Sequence, residues 1–349
     1  MTIFDGNFQA EQKEIQLRQR IADLLRQPII GAILFSEDAG SRLYTRLKKE
    51  AAERVGAGYS IHEFSINDPL DLVAESVHRL NLDPAVTGVI IQKPTKNVWL
   101  QAVEGGRGEE DANFGGEEFK TYNDWWSALT AMIDPEKDVD GLHPSTLAAI
   151  ERGSWLEQGR VLPATAQAVV EILTNLCLEQ PKNTLVDRVI SQLEATQNKA
   201  IATQAVGQID DPALLETSNL QRVVNCLSQK KVIILGKSDL LGKPLYYLLK
   251  SRGVSAEMMG SKELSKRIDQ ARKLLDADIV ISATGRPGLI TADLLKDGVA
   301  VIDVGEPKGD VDFASVKEKA DFITPVPGGV GPMTVVCLLQ NMVVLAEKA

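Results

Sequence analysis

The sequence has 349 residues, of which 44% are hydrophobic and 25% are charged, which is ordinary for a soluble globular protein with room for two domains. Its formal net charge of -10 argues against a nucleic-acid-binding surface, because such a surface needs a basic face. Anionic cofactors are still allowed, since local hydrogen-bond donors hold them.

Cysteine and histidine usage indicates a cytoplasmic enzyme without a metal centre. Cys177, Cys226 and Cys337 are widely spaced and lie outside any CxxC pattern, so we expect reduced, packed thiols. Three histidines are too few for a histidine-rich metal site. No apolar run has the length of a membrane span or the form of a secretory leader, so neither a membrane partner nor secretion is expected.

The first 100 residues alternate helices and strands. An amphipathic helix is predicted over 8–26. Buried strands are predicted over 29–35, 60–66 and 88–92. A helix after the first strand carries Tyr44 and Lys48, which share one face because they are four residues apart, and Gln92 ends the third strand. For an arbitrary pair, a solvated lysine beside a packing tyrosine is the commoner situation.

Residues 101–128 interrupt this alternation with a run rich in glycine and acids that ends in aromatic residues. One interpretation is a mobile loop that partly covers the substrate mouth, because its ends adjoin Gln92 and Asp140. The other is a surface loop anchored by the packing of Trp125 and Trp126.

Three segments lead into the second half of the chain. Acids in 134–141 resemble a calcium loop, but the remaining EF-hand spacing is absent, so calcium is discarded. A helix is predicted over 161–176. Residues 177–229 are polar and compatible with an inserted helical excursion.

Residues 231–250 carry the signature of a nucleotide site. The apolar run Val232 to Leu235 predicts a strand that ends at Gly236, and Gly242 with Pro244 opens a helix. Glycines let backbone N–H groups approach a diphosphate at the positive end of the new helix. This spacing differs from G-x-G-x-x-G, and two glycines that merely turn a strand into a helix remain an alternative.

Further strands of this half strengthen the nucleotide interpretation. They are predicted over 256–260, 277–284, 300–305 and 322–326. Alternation with helices predicts a parallel sheet, and loops with Thr284, Gly285 and Gly305 follow two of its strands at the edge where dinucleotides bind. The proline- and glycine-rich run 323–334 is too irregular for regular structure and could contain a cis proline, before a final helix over 334–348.

Taken together, these residues resemble the bifunctional methylenetetrahydrofolate dehydrogenase/cyclohydrolase family. The resemblance rests on five motifs in family order, which are Ser41-x-x-Tyr44-x-x-x-Lys48, Ile91-Gln92-x-Pro94, Lys137-Asp138-Val139-Asp140-Gly141 with His143-Pro144, Gly236-x-Ser238-x-x-x-Gly242-x-Pro244, and Pro325 to Thr334. It does not cover 101–128 or 177–229, which are longer than the connections usual in the family.

The resemblance implies an α/β substrate domain over 1–150, completed by a helix over 334–349, and a Rossmann-type NAD(P)-binding domain over 151–333 with an insertion over 177–229. It further implies a cleft between them, a homodimer, and oxidation of 5,10-methylenetetrahydrofolate to the methenyl form with NADP, followed by hydrolysis to 10-formyltetrahydrofolate. These are reactions of one-carbon metabolism that feed purine biosynthesis.

The resemblance also implies roles for residues. Lys48 would be the general acid/base of hydrolysis, Tyr44 would stack along the folate, and Gln92 would bond near the lysine. Asp140 would hold the pterin, whose amino and ring nitrogens offer paired donors. The implied substrate-binding set is Tyr44, Lys48, Ile91, Gln92, Lys93, Asp140, Pro327, Gly328, Gly329, Val330 and Gly331. The implied cofactor-binding set is Gly236, Lys237, Ser238, Gly242, Pro244, Ser261, Thr284, Gly285, Gly305 and Glu306.

Several residues depart from the family pattern. Lys237 stands where the family usually has Arg or Ala, Lys93 and Thr95 replace apolar residues, and Ala166 replaces a common proline. The second Rossmann strand ends without the acid typical of NAD enzymes, so Ser261 with Lys237 or Lys262 favours NADP, although Glu263 is an objection.

Three alternatives differ in activity. A dehydrogenase without hydrolase activity is disfavoured by Lys48 and Gln92. A non-catalytic nucleotide-binding regulator is disfavoured because the whole set of candidate catalytic residues is present, namely Tyr44, Lys48, Gln92 and Asp140. A hydroxy-acid dehydrogenase would need a histidine near the nicotinamide, and the nucleotide half of the sequence contains none.

Overall fold

The computed structural model describes residues 1–105, 121–179 and 212–348. The expectations for 106–120, the middle of the expected loop or lid, and for 180–211, most of the helical excursion, lie outside the described residues. The described chain forms two parallel sheets packed with helices, so the predicted α/β class is confirmed.

The smaller sheet has three parallel strands in the order β3-β2-β4. These strands are β2 (Ile29–Phe35), β3 (Gly58–Phe64) and β4 (Gly88–Ile91). Helices α1 (Gly6–Ala22), α2 (Ala39–Val55) and α3 (Leu70–Leu82) belong to the same half. The central strand β2 is almost entirely buried, which explains its unbroken apolar run. The three strands predicted for this half are confirmed, and each observed end lies within two residues of the predicted one.

The larger sheet has six parallel strands in the order β1-β9-β8-β7-β5-β6. They are β1 (Thr2–Ile3), β5 (Lys231–Leu235), β6 (Ser255–Met259), β7 (Ile279–Ser282), β8 (Val299–Asp303) and β9 (Ala320–Ile323). β1 pairs with β9, so the first residues of the chain belong to the larger sheet. A strand of two residues has no periodicity that a sequence pattern could show, so β1 was not predicted.

The last helix, α12 (Val330–Ala346), packs against α1, α2 and α7 (Ala164–Glu179). It is buried around most of its circumference, which is why its sequence is apolar without an amphipathic stripe. The helix begins at Val330 and not at the predicted Thr334. Pro332 falls in its first turn, where a missing N–H breaks no helical hydrogen bond.

The other helices complete the layers. They are α4 (Lys96–Gly105), α5 (Tyr122–Thr130), α6 (Pro144–Arg152), α8 (Pro212–Leu227), α9 (Gly242–Ser251), α10 (Ser261–Asp269) and α11 (Phe313–Val316), with a 3-10 turn at Ala292–Leu294. In the described residues every helix is too short or too polar to cross a lipid bilayer. Those residues also hold no cluster of three or more His, Cys, Asp or Glu side chains suited to a metal ion.

The aromatic end of 101–128 is an anchor. Trp125 and Trp126, on α5, are 1% and 2% exposed. The Trp125 ring lies 5.4 Å from that of Phe35 and 5.9 Å from that of Tyr122, between centroids. The prediction that this end is anchored by the packing of Trp125 and Trp126 is thus confirmed.

The expectation of three reduced thiols is wrong for two of them. Cys177 on α7 and Cys226 on α8 form a disulfide, with Cα atoms 6.0 Å apart. The two residues are 49 positions apart in sequence, and only the packing of α7 on α8 brings them together. Cys337 is buried in α12.

Asn341 links α12 to the acidic motif of the smaller half. Its Nδ2 donates hydrogen bonds to the carbonyl oxygens of Val139, at 3.0 Å, and Leu162, at 2.9 Å. We predict that Asn341→Leu lowers the free energy of unfolding by about 2–4 kcal/mol, because two buried carbonyl groups lose donors. Denaturant titration measures this change.

A control for this prediction lies at the end of the same helix. Glu347→Gln weakens a surface ion pair with Arg20 and should cost about 1 kcal/mol or less. If Asn341→Leu costs no more than the control, the buried amide does not hold the motif.

Candidate active site

A cleft of about 420 Å³ lies where the carboxyl ends of both sheets face each other. The smaller half lines it with Tyr44, Lys48, Gln92, Lys93 and Asp140. The nucleotide half lines it with Ser238, Leu240, Leu241, Ala283, Thr284, Gly285, Asp303, Val304, Gly305 and Glu306. The run from Pro325 to Gly331 forms the wall that joins the halves.

Lys48 and Asp140 are the charged centre of the smaller half. Lys48 is only 7% exposed, and its Nζ donates a hydrogen bond to Gln92 Oε1 at 2.8 Å. Burial lowers the pKa of Lys48, and the Asp140 carboxylate opposes this shift. Burial likewise raises the pKa of Asp140 to about 6, with Lys48 opposing it. A lysine held in this way can lose its proton far more readily than a solvated one.

Tyr44 and Lys48 face the cleft together because both lie on one side of α2, as their spacing predicted. The start of α2 is fixed by Asp38, whose carboxylate accepts hydrogen bonds from the N–H groups of Ser41 and Thr95. Ser41 Oγ in turn donates to the carbonyl oxygen of Lys93 at 3.1 Å. The helix and the end of β4 are therefore held in one register.

Asp138 shapes the loop that presents Asp140. Its buried carboxylate accepts hydrogen bonds from the N–H groups of Leu142 and His143 and from Thr146 Oγ1, at 2.9–3.0 Å. Gly141 has a φ of +67°, which favours glycine. Asp138 is thus a structural carboxylate, and Asp140 is the one at the cleft.

The predicted nucleotide loop has the close backbone approaches that require glycine. A Cβ on Gly236 would meet Ala283 O at 2.4 Å, and one on Gly242 would meet Gly236 O at 2.1 Å. Leu241 precedes α9 without a side-chain cap, Lys243 N–H donates to the Ser238 carbonyl at 3.0 Å and Pro244 has no N–H, so the Gly242 N–H is the donor of the first turn that is left for a ligand. The loop fits a diphosphate group.

Two buried acids order the other nucleotide loops. The Asp303 carboxylate accepts hydrogen bonds from the N–H groups of Gly305, Asp310 and Val311, at 2.9–3.0 Å. Asp310 accepts from Ser282 Oγ, at 2.8 Å, and from the N–H and Oγ1 of Thr284. Sequence reasoning missed both acids, although each adjoins a glycine-bearing loop, a pattern that points to loop-organising carboxylates.

Several predicted site residues lie outside the cleft lining. Ile91 and Pro244 are buried, and Gly236 and Gly242 act through the backbone geometry of the loop. Lys237 and Ser261 lie toward the end of β6. There the Lys237 ammonium pairs with Glu263, and the Glu263 carboxylate also accepts a hydrogen bond from the Gly260 N–H at 3.0 Å.

Glu306 faces the open cleft beside α12. A Cβ on Gly331 would meet Glu306 Oε1 at 2.6 Å, so glycine makes room for the carboxylate. Desolvation raises the pKa of Glu306 to about 7. In the same wall the Val326–Pro327 peptide bond is cis, as the proline-rich run suggested, and Gly328 has a φ of +97°.

Known proteins match both halves of the chain. The catalytic-domain model of tetrahydrofolate dehydrogenase/cyclohydrolase matches residues 4–103, and the NAD(P)-binding-domain model of that family matches 214–349. Bifunctional protein FolD of Lactobacillus acidophilus is 30% identical, and the alignment covers 99% of this chain and 97% of the relative. FolD of Bacillus anthracis is 31% identical with the same coverage.

The chain belongs to the tetrahydrofolate dehydrogenase/cyclohydrolase family.

Solved structures of this family agree over the full length. The Campylobacter jejuni FolD dehydrogenase/cyclohydrolase is 25% identical with a TM-score of 0.70, covering 100% of this chain and 99% of that one. The Trypanosoma brucei FolD, complexed with NADP and an inhibitor, is 26% identical with a TM-score of 0.70, covering 99% and 97%. The predicted family, fold and bifunctional dehydrogenase/cyclohydrolase activity are confirmed.

Gly6 lies directly against the wall of the cleft that the run from Pro325 to Gly331 forms. Its N–H donates to the Gly328 carbonyl at 2.9 Å, and a Cβ on Gly6 would meet Gly329 O at 1.9 Å. We predict that Gly6→Ala raises KM for the folate about tenfold or more, because the wall must move. Steady-state kinetics at saturating dinucleotide measures the change.

Gly40→Ala is the control, since the nearest atom to a Cβ there is an Asp38 side-chain oxygen at 3.2 Å. If Gly6→Ala and Gly40→Ala have the same KM for the folate, the wall is not set by this contact.

Proposed function

We propose that the cleft binds the pterin of 5,10-methylenetetrahydrofolate at Asp140 and along Tyr44, and that Lys48 serves the hydrolytic step. The observation that carries this proposal is the buried Lys48–Gln92 hydrogen bond beside Asp140, in one cavity with the nucleotide loops. The reaction sequence is oxidation to the methenyl form, then hydrolysis to 10-formyltetrahydrofolate.

The pterin edge matches Asp140. A 2-amino-4-oxopyrimidine presents neighbouring N–H donors, and an ionised carboxylate accepts two such bonds in parallel. The raised pKa of Asp140, about 6, still leaves it largely ionised at neutral pH. Tyr44 on one wall and Pro327 with Gly328 on the other bound the space that the rest of the folate would fill.

Dinucleotide binding falls to the loops of the larger sheet. When bound, the oxidised nicotinamide supplies an acceptor for the hydride that leaves the methylene carbon. The backbone approach of Gly236 and Gly242 and the start of α9 fit the diphosphate, while the loops with Thr284 and Gly305 bound the cleft from the same side. The chain's part in this step is positioning, and no protein base is required.

Hydrolysis requires a proton carrier. Water attacks the methenyl carbon and loses one proton, and its second proton passes to solvent as the carbon–nitrogen bond breaks and the formyl C=O forms, while the departing ring nitrogen gains a proton. Lys48 in its neutral form accepts the proton lost on attack and in its charged form donates one to the departing nitrogen. Its lowered pKa makes the neutral form accessible, while Gln92 Oε1 holds Nζ in place.

We predict that Lys48→Met abolishes hydrolysis of the methenyl compound, a loss of at least about 10²–10⁴-fold, while dehydrogenase activity stays measurable. The reason is that only hydrolysis needs proton transfer by the protein. The two activities are measured as disappearance of methenyl-folate absorbance and as reduction of the dinucleotide.

Asp140→Asn provides the contrast for this prediction, because loss of pterin binding should weaken both activities together through KM. If the Lys48→Met variant still forms 10-formyltetrahydrofolate faster than the uncatalysed rate, Lys48 is not the proton carrier.

NADP is the proposed dinucleotide. Ser261 opens α10 just after β6, and Lys237 lies opposite Glu263 at the place where a Rossmann fold holds the adenosine ribose. Because Lys237 is paired with Glu263, a 2′-phosphate would have to compete with the Glu263 carboxylate for the Lys237 ammonium group. The solved Trypanosoma brucei relative, complexed with NADP, supports the proposal.

We predict that Glu263→Gln lowers KM for NADP about tenfold and changes KM for NAD little, because the competing carboxylate is lost while the amide oxygen can still accept from Gly260. Lys237→Met should have the opposite effect on NADP alone. Initial rates with each dinucleotide measure both. Wild-type turnover with NAD that equals or exceeds that with NADP at low concentration would overturn the NADP preference.

The finer organisation is also proposed. The resemblance supports a substrate domain over 1–150 completed by 334–349, a dinucleotide domain over 151–333, a homodimer and a cytoplasmic location, with β1 (Thr2–Ile3) as the part of 1–150 that belongs to the larger sheet. The packing of α12 against α1 and α2 supports the assignment of the last helix to the substrate half.

A further inference from the structure

Lys93 is a charged residue of the cleft that has no part in the proposed hydride-transfer or hydrolysis step. It follows Gln92 at the end of β4, and its backbone carbonyl oxygen is held by Ser41 Oγ. Among the described residues its ammonium group has no carboxylate within ion-pair distance. This cation is therefore available to an anionic ligand.

An aromatic platform fixes the position of the Lys93 ammonium. Nζ lies 4.8 Å from the ring centroid of Trp126 and 5.3 Å from that of Tyr122, within the range of cation–π attraction. Both rings belong to α5 and are buried, and the Tyr122 hydroxyl donates to the Pro94 carbonyl. The position of the ammonium group is thus fixed by two packed aromatic rings, although the lysine side chain itself is flexible.

The same platform touches the nucleotide half of the molecule. Leu240, in the loop between β5 and α9, packs against the apolar cluster that contains Tyr122, Trp125 and Trp126. Trp126 also shares a groove with Asp239 and Lys243 at the start of α9. The Lys93 ammonium therefore lies at the junction of the two halves, beside the loop that fits a diphosphate.

Within residues 1–105, 121–179 and 212–348, no carboxylate forms an ion pair with Lys93 at this junction. The Asp239 carboxylate acts on the pKa of Lys93, but it pairs with Lys243 Nζ at 2.7 Å. Burial lowers the pKa of Lys93 to about 8, with Asp239 opposing this shift and Lys243 adding to it. Most of the lysine therefore stays protonated near neutral pH, partly desolvated, and would gain from an anion.

We propose that Lys93 binds the diphosphate of the dinucleotide from the substrate half, so that the cofactor is clamped between its own loop and a lysine on the opposite wall. This inference rests on the proposed dinucleotide site and assigns Lys93 to the cofactor, not to the folate-binding set that the sequence implied for it. A cation presented beside the loop that precedes α9 supplies a charge-assisted contact that the neutral backbone donors of that loop lack.

The test measures dissociation constants of NADP and NAD by calorimetry with the full-length protein, alongside KM for the folate. Lys93→Met should weaken both dinucleotides by about 10–100-fold, since a hydrogen bond to a charged group is lost. The ratio of NADP to NAD affinity should not change, because the diphosphate is common to both. The loss should exceed any rise in KM for the folate by at least about fivefold.

Lys93→Arg should retain most of the affinity, because the charge stays while the stem changes. Lys96→Met is the matched control: Lys96 is an exposed lysine at the start of α4 that does not line the cleft, and its loss should leave both dinucleotide constants unaltered. Thermal unfolding of each variant verifies that the fold has kept its stability.

Two results would overturn the inference. One is unchanged dinucleotide affinity in Lys93→Met, and the other is a rise in KM for the folate larger than the loss of dinucleotide affinity, which would return Lys93 to the folate wall. Dinucleotide binding is measured without turnover, so wild-type protein that binds NADP but oxidises no folate would refute the proposed function while leaving Lys93 testable. Wild-type protein that binds neither dinucleotide would refute both.

Discussion

Lys48 and Asp140 are opposite charges that share a wall with little access to water. Each loses hydration through burial, so burial lowers the pKa of the lysine and raises that of the aspartate, while their mutual attraction offsets part of both shifts. In both residues the charged form is therefore less favoured than it is in water. Proton transfer at neutral pH benefits from this, because a lysine whose neutral form is accessible can take a proton from water and return it. Folding must supply the energy that keeps the pair in place.

Buried carboxylates hold the loops around this pair. Asp38, Asp138, Asp303 and Asp310 each accept hydrogen bonds from backbone N–H groups at the carboxyl edges of the two sheets. A loop that leaves a strand carries unpaired N–H groups, and a buried acid that collects two or three of them pins its path. In the part of the chain that the structure describes, hydrogen-bond donors compensate these carboxylates and none of the four forms an ion pair with a lysine or arginine. This arrangement leaves lysines free to face the cleft.

Local patterns in the sequence were enough to predict much of this structure. The apolar run of β2, the four-residue spacing of Tyr44 and Lys48, and the glycines at 236 and 242 each follow from short-range rules, and the structure agrees with all of them. What the sequence did not reveal depends on contacts between distant segments. The pairing of β1 with β9, the disulfide between α7 and α8, and the hydrogen bonds of Asp310 to Ser282 and Thr284 all join residues that only the tertiary fold brings together.

The aromatic end of 101–128 shows how one such contact can depend on another. A lysine in place of an apolar residue after Gln92 would cost free energy in a dry wall, because its ammonium would be desolvated without a partner. The rings of Trp126 and Tyr122 offset that cost, and they belong to a segment that the resemblance does not cover. The departure at position 93 and the segment that ends in α5 thus form one structural unit.

Both ends of the described chain cross between the two halves at the same place. β1 lies in the larger sheet and is followed by α1, while β9 lies beside β1 and is followed by the cleft wall and α12. The two crossings are bonded to each other, through Phe4 N–H to the Ile323 carbonyl and Gly6 N–H to the Gly328 carbonyl, both at 2.9 Å. Because α1 and α12 then pack together in the smaller half, the spacing of the sheets on this side is fixed by backbone contacts. In the proposed arrangement the folate and the dinucleotide are held by different sheets, and hydride transfer depends on their close approach, so the paired crossings constrain the separation of the two proposed sites.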